Sequence, residues 1–232
     1  MGERRRKANG RHTLSNDRVP ADPVDMSKIK GQMASRPIRN VCVYCGSSPG
    51  HDPAYAAAAR ELGRLLAARD VGLVYGGGGL GLMGETAKSV LANGGRVTGI
   101  IPEFLSEKEQ MLRNVSELLV VEDMHQRKKL MFDKSDAFVA LPGGIGTLEE
   151  LVEQLTWAQL GRHTKPIVLL NAEGYWAPFM VLLEHMQREG FIRPEMAVRF
   201  LIADKAEDVL PTILANALPP AEGAAEAVRE KF

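Results

Sequence analysis

Along this chain, short runs of apolar and β-branched residues alternate with longer stretches in which apolar positions recur every three or four residues. The first kind falls at 41–44, 71–75, 96–101, 118–121, 137–141, 167–170 and 200–203. The second falls at 53–69, 82–93, 123–134, 147–160, 177–189 and 205–217. The short runs are mainly apolar and β-branched instead of strictly alternating with polar residues, as in strands buried on both faces. This cadence predicts an α/β fold: a doubly wound parallel sheet in a single domain, with helices on both faces. Pro53 suits a first helical position, where its missing N–H costs nothing, and Gly94-Gly95 suits a stop. Such sheets bind ligands beyond the carboxyl ends of their strands. The glycine-rich loops at 46–48, 76–84 and 143–147 are therefore expected to line one crevice.

The last of these loops carries the densest chemistry. Residues 141–150 read Leu-Pro-Gly-Gly-Ile-Gly-Thr-Leu-Glu-Glu, a turn that opens a helix with a threonine and two carboxylates expected in its first turn. Unpaired N–H groups and partial positive charge at a helix start suit phosphate, and glycines let the backbone approach closely. Carboxylates repel phosphate, so Glu149 and Glu150 need another purpose. Chemistry on the sugar of a phosphorylated ligand supplies one. Thr147 and Glu150 also satisfy a Thr-x-x-Glu capping box, in which Glu150 bonds back to the Thr147 N–H. A cap requires none of the preceding glycines, whereas a phosphate cradle does.

Two other segments bear on the site. Gly79-Leu-Gly-Leu-Met-Gly84 fits the G-x-G-x-x-G dinucleotide pattern, with Glu103 placed about 20 residues on for a ribose. Against that reading, the pattern follows the second strand, four consecutive glycines make accidental matches easy, and the loop at 143–147 is left unexplained. Met124-His125-Gln126-Arg127-Lys128-Lys129 opens a helix with cations, which opposes the helix dipole at a cost of ~0.3–1 kcal/mol and calls for an anionic partner. Arg127 shares a helical stripe with Met124 and Met131 and is expected to point inward, while Lys129 fits a solvated face. Substrate phosphate and Glu150 are the natural partners of Arg127.

Composition narrows the field. With 232 residues, 45% of them hydrophobic, the chain can bury a full core. Its net charge of +0 conceals an asymmetry: residues 1–40 hold ten Lys/Arg against four Asp/Glu, and the rest hold 19 against 25. An acidic body argues against a nucleic-acid surface. Residues 1–35, basic and without apolar periodicity, are expected to be a disordered extension ahead of a folded domain at 36–232. No apolar run follows Arg4, Arg5 and Arg6 as in a targeting signal, and no stretch is apolar for long enough to span a membrane. Cys42 and Cys45 sit three apart on an expected strand and so face opposite ways, which predicts ordinary reduced thiols in a cytoplasmic protein. His51, His125, His163 and His185 lack metal-ligand spacing, and Ser47 and Ser48 lie in no G-x-S-x-G elbow, so neither a metal site nor a serine hydrolase is expected.

Taken together, Tyr-Cys-Gly-Ser-Ser (44–48), Tyr-Gly-Gly-Gly-Gly-Leu-Gly-Leu-Met-Gly (75–84), Met-His-Gln-Arg-Lys (124–128), the 141–150 segment and Leu-Thr-Trp-Ala-Gln-Leu-Gly (155–161) resemble the LOG ("lonely guy") family of cytokinin-activating phosphoribohydrolases, a family often mislabelled as lysine decarboxylases. The resemblance runs from about Asn40 to Ala203. It implies a Rossmann-like homodimer that needs no cofactor and hydrolyses the N-glycosidic bond of N6-substituted adenosine 5′-monophosphates, and often AMP, to free base and ribose 5-phosphate. Carried over by motif, Arg127 and Glu150 are the catalytic pair, and Lys128, Gly143, Gly144, Gly146, Thr147 and Glu149 contact nucleotide. Gly46, Ser47, Gly77, Glu109 and Thr156 fall where substrate contacts are also implied. Two departures are the glycine at position 79, where the family often has serine, and the Arg-rich extension.

Breaking a ribosyl–purine bond passes through an oxocarbenium-like sugar, so a carboxylate beside it stabilises the developing charge. Glu150 takes that role here, and also orients or deprotonates water. The 143–147 loop and Lys128 anchor the 5′-phosphate, and Arg127 either holds phosphate or orients Glu150. A non-catalytic nucleotide carrier or sensor built on the same cradle is the alternative of a different class. A decarboxylase would need a pyridoxal-phosphate lysine, and no lysine stands out for it.

Overall fold

The computed structural model describes residues 37–106, 110–193 and 196–217; the basic extension and the expected contact Glu109 lie outside the described residues. The apolar runs become β1 (Asn40–Tyr44), β2 (Gly72–Tyr75), β3 (Val97–Pro102), β4 (Glu117–Val121), β5 (Ala137–Ala140), β6 (Ile167–Leu170) and β7 (Leu201–Ala203). They form one sheet in the order β4-β3-β2-β1-β5-β6-β7, parallel at every pairing. Between them lie α1 (Pro53–Ala68), α2 (Gly81–Ala92), the single-turn α3 (Glu103–Ser106), α4 (Met124–Asp133), α5 (Ile145–Gln159), a 3₁₀ turn (Ala172–Gly174), α6 (Ala177–Arg188) and α7 (Ala206–Asn216). The doubly wound α/β expectation therefore holds. The two shortest elements, α3 and the 3₁₀ turn, are too short to leave a period in the sequence, and neither is anticipated by it.

Residues alternate between the two faces along each strand, which builds a core on each side. Val41 and Val43 pack with Leu62 and Leu66 of α1, Leu82 and Val90 of α2, and Val209 and Ile213 of α7. Cys42 and Tyr44 pack on the opposite face with Met131 of α4, Leu151 and Leu155 of α5, and Phe138. Cys45 belongs to the first layer and Cys42 to the second, and neither is in a disulfide. Burial, then the nearby Glu150, pushes the Cys42 thiol well above its ordinary range, so it stays protonated and unreactive.

Strand order reverses between β1 and β5, and this reversal sets the site. The chain steps outward from β1 to β4, returns to the centre, and steps out the other way from β5 to β7. Loops at the carboxyl ends of β1 and β5 consequently diverge and leave a crevice. The three glycine-rich loops follow β2, β1 and β5, which are neighbours in the sheet.

One buried histidine ties α5 to the strand after it. His163 shares Nε2 with the Gln154 carbonyl at 3.2 Å, accepts the Lys165 N–H on Nδ1 at 3.1 Å, and packs edge-on against Phe132. This pattern fixes a neutral ring with the proton on Nε2. Burial lowers its pKa from 6.5 to about 4, against the raising effect of the Gln154 hydrogen bond. The folded state therefore binds fewer protons than the unfolded chain between those values, and stability falls as pH drops through that window. In urea denaturation, wild type should lose stability relative to His163→Gln between pH 6.5 and about 4. Parallel pH profiles would refute this.

Candidate active site

At the strand reversal the three loops are stitched together by backbone. Gly46 N–H donates to the Pro142 carbonyl at 3.0 Å, and Met83 N–H at the start of α2 donates to the Gly46 carbonyl at 3.3 Å. Gly46 and Gly143 are in close contact, since a Cβ on Gly143 would lie 2.8 Å from Gly46 N and 2.1 Å from Thr147 Oγ1. The Tyr175 hydroxyl donates to the Gly143 carbonyl from behind. The sequence gives no sign of that contact, because the partners lie 32 residues apart.

Helix α5 starts at Ile145 with Gly144 as an extended N-cap and no side-chain cap. Thr147 is thus the third helical residue, and Glu149 and Glu150 lie in the second turn. This corrects two expectations: the carboxylates are not in the first turn, and no capping box forms. The reason is geometric, because a box needs Thr147 itself at the N-cap, whereas Leu148 N–H already bonds the Gly144 carbonyl at 3.0 Å. The N–H groups of Ile145, Gly146 and Thr147 have no acceptor within the helix.

The glycines fall into two groups. In the loop after β2, packing consumes them: a Cβ on Gly79 would meet the Gln110 carbonyl at 2.3 Å, and one on Gly84 the Gly79 carbonyl at 2.2 Å. The dinucleotide pattern is accounted for by these close approaches. Gly77, an expected substrate contact, is buried with φ +82°, and a Cβ there would strike Ile101 at 2.8 Å. Gly144 and Gly146 differ, being exposed, with nothing within 4 Å of an added Cβ. Internal packing gives no reason for glycine at either position. A ligand approaching the backbone does.

Beside this turn sits a nearly sealed ion pair. Arg127 of α4 and Glu150 of α5 are 3.8 Å apart, Nη2 to Oε1, with side chains only 7% and 10% exposed. That distance is an ion pair but not a hydrogen bond. Arg127 Nη2 donates instead to the Gly76 carbonyl at 3.3 Å, and Nε is buried with no hydrogen-bond partner among the described residues. Gly76 must lack a side chain, since a Cβ would stand 1.9 Å from Nη2. Beneath the pair, the buried Tyr44 phenol is held well above its usual range by burial, then by Cys42 and Glu150.

Lys128, an expected nucleotide contact, is ion-paired within the protein. Its Nζ lies 2.5 Å from Glu149 and 3.0 Å from Glu153, with the side chain 12% exposed. Burial alone would lower its pKa, but the hydrogen bonds to Glu149 and Glu153 prevail and raise it. Its charge is matched within the protein, while Glu149 remains half exposed to solvent. Glu153, one turn after Glu149 on α5, is missed by the sequence reading although its spacing marks it. Ser47 is exposed beside the cradle. Thr156 lies two turns along α5 from Glu150, is exposed, and returns its hydroxyl to the Val152 carbonyl at 2.8 Å, so it is not brought to the pair.

Comparison with known proteins shows the family to which the chain belongs. The family described as possible lysine decarboxylase matches residues 83–213. A probable cytokinin riboside 5′-monophosphate phosphoribohydrolase of Oryza sativa subsp. japonica is 46% identical over 84% of this chain and 86% of its own length. A cytokinin riboside 5′-monophosphate phosphoribohydrolase of Arabidopsis thaliana is 46% identical over 79% and 86%. One of Rhodococcoides fascians is 43% identical over 82% and 96%. Among solved structures, a molybdenum cofactor binding protein of Rippkaea orientalis superposes with a TM-score of 0.58 at 22% identity, covering 78% of this chain and 98% of that one. That likeness concerns the fold alone.

If the open glycines serve a ligand, they can be tested without touching a charge. Gly146→Ala adds a methyl group to a helical position where nothing opposes it, and should raise stability by about 0.5–1 kcal/mol. Calorimetric binding of AMP should weaken by roughly tenfold, about 1.4 kcal/mol. Undiminished binding would detach the cradle from the ligand.

Proposed function

This chain belongs to the LOG family, whose family description is possible lysine decarboxylase, and we infer that it is a phosphoribohydrolase that cleaves the N-glycosidic bond of cytokinin-type adenosine 5′-monophosphates to free base and ribose 5-phosphate. The observation that carries the reading is the pairing of an uncapped, glycine-lined helix start with a carboxylate, Glu150, one turn further along the same helix. The first grips an anion and the second attends a sugar, which is the division of labour that a nucleotide N-glycosidase needs. The decarboxylase description fits the site poorly. A Schiff-base lysine must lose its proton readily, and the buried lysine at hand, Lys128, has its pKa raised by two carboxylates.

In the proposed mechanism the N–H groups at 144–147 hold the 5′-phosphate, so that binding energy remote from the scissile bond positions it. Glu150 faces the anomeric carbon, stabilises the oxocarbenium-like sugar as the base departs, and orients the attacking water. Arg127, buried against Gly76 and beside Glu150, orients that carboxylate. We further propose that the protein works as a homodimer in the cytoplasm, without nucleic-acid or membrane partners. Exposed Ile145, Val152 and Leu160 along α5, with Phe191 at 86% exposure, support the dimer. No helix among the described residues is long and apolar enough to cross a membrane.

Chromatography of reactions with AMP, isopentenyl-AMP and CMP side by side should show base release from the two adenine nucleotides. Binding of AMP without adenine release would favour the carrier reading instead. Glu150→Gln preserves shape and removes charge, so it should keep nucleotide binding and lose turnover by roughly 100-fold or more. A mutant near wild-type rate would contradict the carboxylate assignment. Adenosine should have a far lower kcat/KM than AMP, and equal values would remove the phosphate anchor.

A further inference from the structure

The two catalytic candidates attract each other but share no hydrogen bond. Arg127 and Glu150 are 3.8 Å apart, beyond hydrogen-bond reach, on two separate helices. Beyond that attraction and the apolar layer that both helices enter, a direct polar link that joins α4 to α5 would hold their register. The next residue along α4 does so: Lys128 Nζ reaches Glu149 at 2.5 Å and Glu153 at 3.0 Å, gripping two successive turns of α5 on either side of Glu150. One of its three donors is thereby given to each carboxylate, and the side chain is 12% exposed. A phosphate at the helix start would have to compete with two carboxylates already in place.

We propose, resting on the reading of the site as a phosphoribohydrolase, that Lys128 is a positioning residue and not a phosphate contact. Its ammonium bolts α4 to α5 so that Arg127 and Glu150 stay in register, and the anion is held by backbone N–H groups at 144–147. The triad of one cation and two anions carries a net negative charge, which suits a neighbour of a developing sugar cation and not a seat for phosphate.

The two roles divide cleanly in kinetics. With Lys128→Met, a bolt predicts a fall in kcat on the order of 100-fold, the size of effect that misplacing a catalytic group by about 1 Å produces. KM for AMP, the preference for AMP over adenosine, and calorimetric affinity for ribose 5-phosphate should all stay within about threefold, which is under 1 kcal/mol. Glu153→Gln should produce much of the same loss, and the double variant should lose little more, because both break one link. A phosphate contact predicts the reverse: retained kcat, KM for AMP raised tenfold or more, preference for AMP collapsed, and weakened ribose 5-phosphate binding. That pattern, or additive losses in the double variant, overturns the proposal. Lys128→Arg, which keeps the charge, guards against misfolding: a bolt predicts that it recovers most of kcat, and failure to do so despite a wild-type melting temperature counts against it. Wild type tested in parallel separates the cases, since absence of adenine release from AMP by wild type refutes the activity itself, while the ribose 5-phosphate titration still reads the role of Lys128.

Discussion

A guanidinium shut almost completely away from water dictates the arrangement around it. Burying a charge is costly unless opposite charge and hydrogen-bond acceptors surround it. Around Arg127 the fold supplies Glu150, the Gly76 carbonyl and the sulfur of Met124. Each of these imposes a condition further out. Gly76 must be bare, β2 must end beside β1, and α4 must return to the centre of the sheet to lie against α5. The reversal of strand order is what lets two helices from distant parts of the chain present Arg127 and Glu150 to one another.

Much of this was legible in the residues. Seven apolar runs predict seven strands, with ends shifted by only a residue or so, because strands buried on both faces leave an unambiguous signal. The inward turn of Arg127 follows from its stripe with Met131, and both are buried. The start of α5 was less legible. Gly144, Ile145 and Gly146 carry no apolar period, so the helix reads as beginning at Thr147, and from that displacement follow both the false capping box and the misplaced carboxylates. Contacts that depend on tertiary approach, such as Tyr175 on Gly143 and Lys128 across to Glu153, lie beyond any local pattern.

Glycine-rich segments reward separate treatment. The tract after β2 looks from sequence like the stronger ligand-binding motif, yet Gly79, Gly81 and Gly84 lie where backbone meets backbone, Gly77 lies against the Ile101 side chain and Gly76 against a guanidinium. At the sparser pair, 144 and 146, an added Cβ would meet nothing in the protein. A motif that matches a binding pattern can thus be a record of crowding, and a weaker one can be the place where an outside molecule is expected. Only the space in front of each position separates the two.

The Tyr175 hydroxyl on the Gly143 carbonyl, together with the Gly46 N–H on the Pro142 carbonyl, has an effect on which ions the crevice admits. Two successive oxygen atoms of the turn are thereby occupied, and the helix start that follows leaves N–H groups without partners in the helix. A helix start of this kind favours oxyanions over metal cations and amines before any charged side chain takes part. The selectivity of the entrance is then written in the orientation of a few amide planes, a property that substitution of neighbouring side chains would leave largely intact.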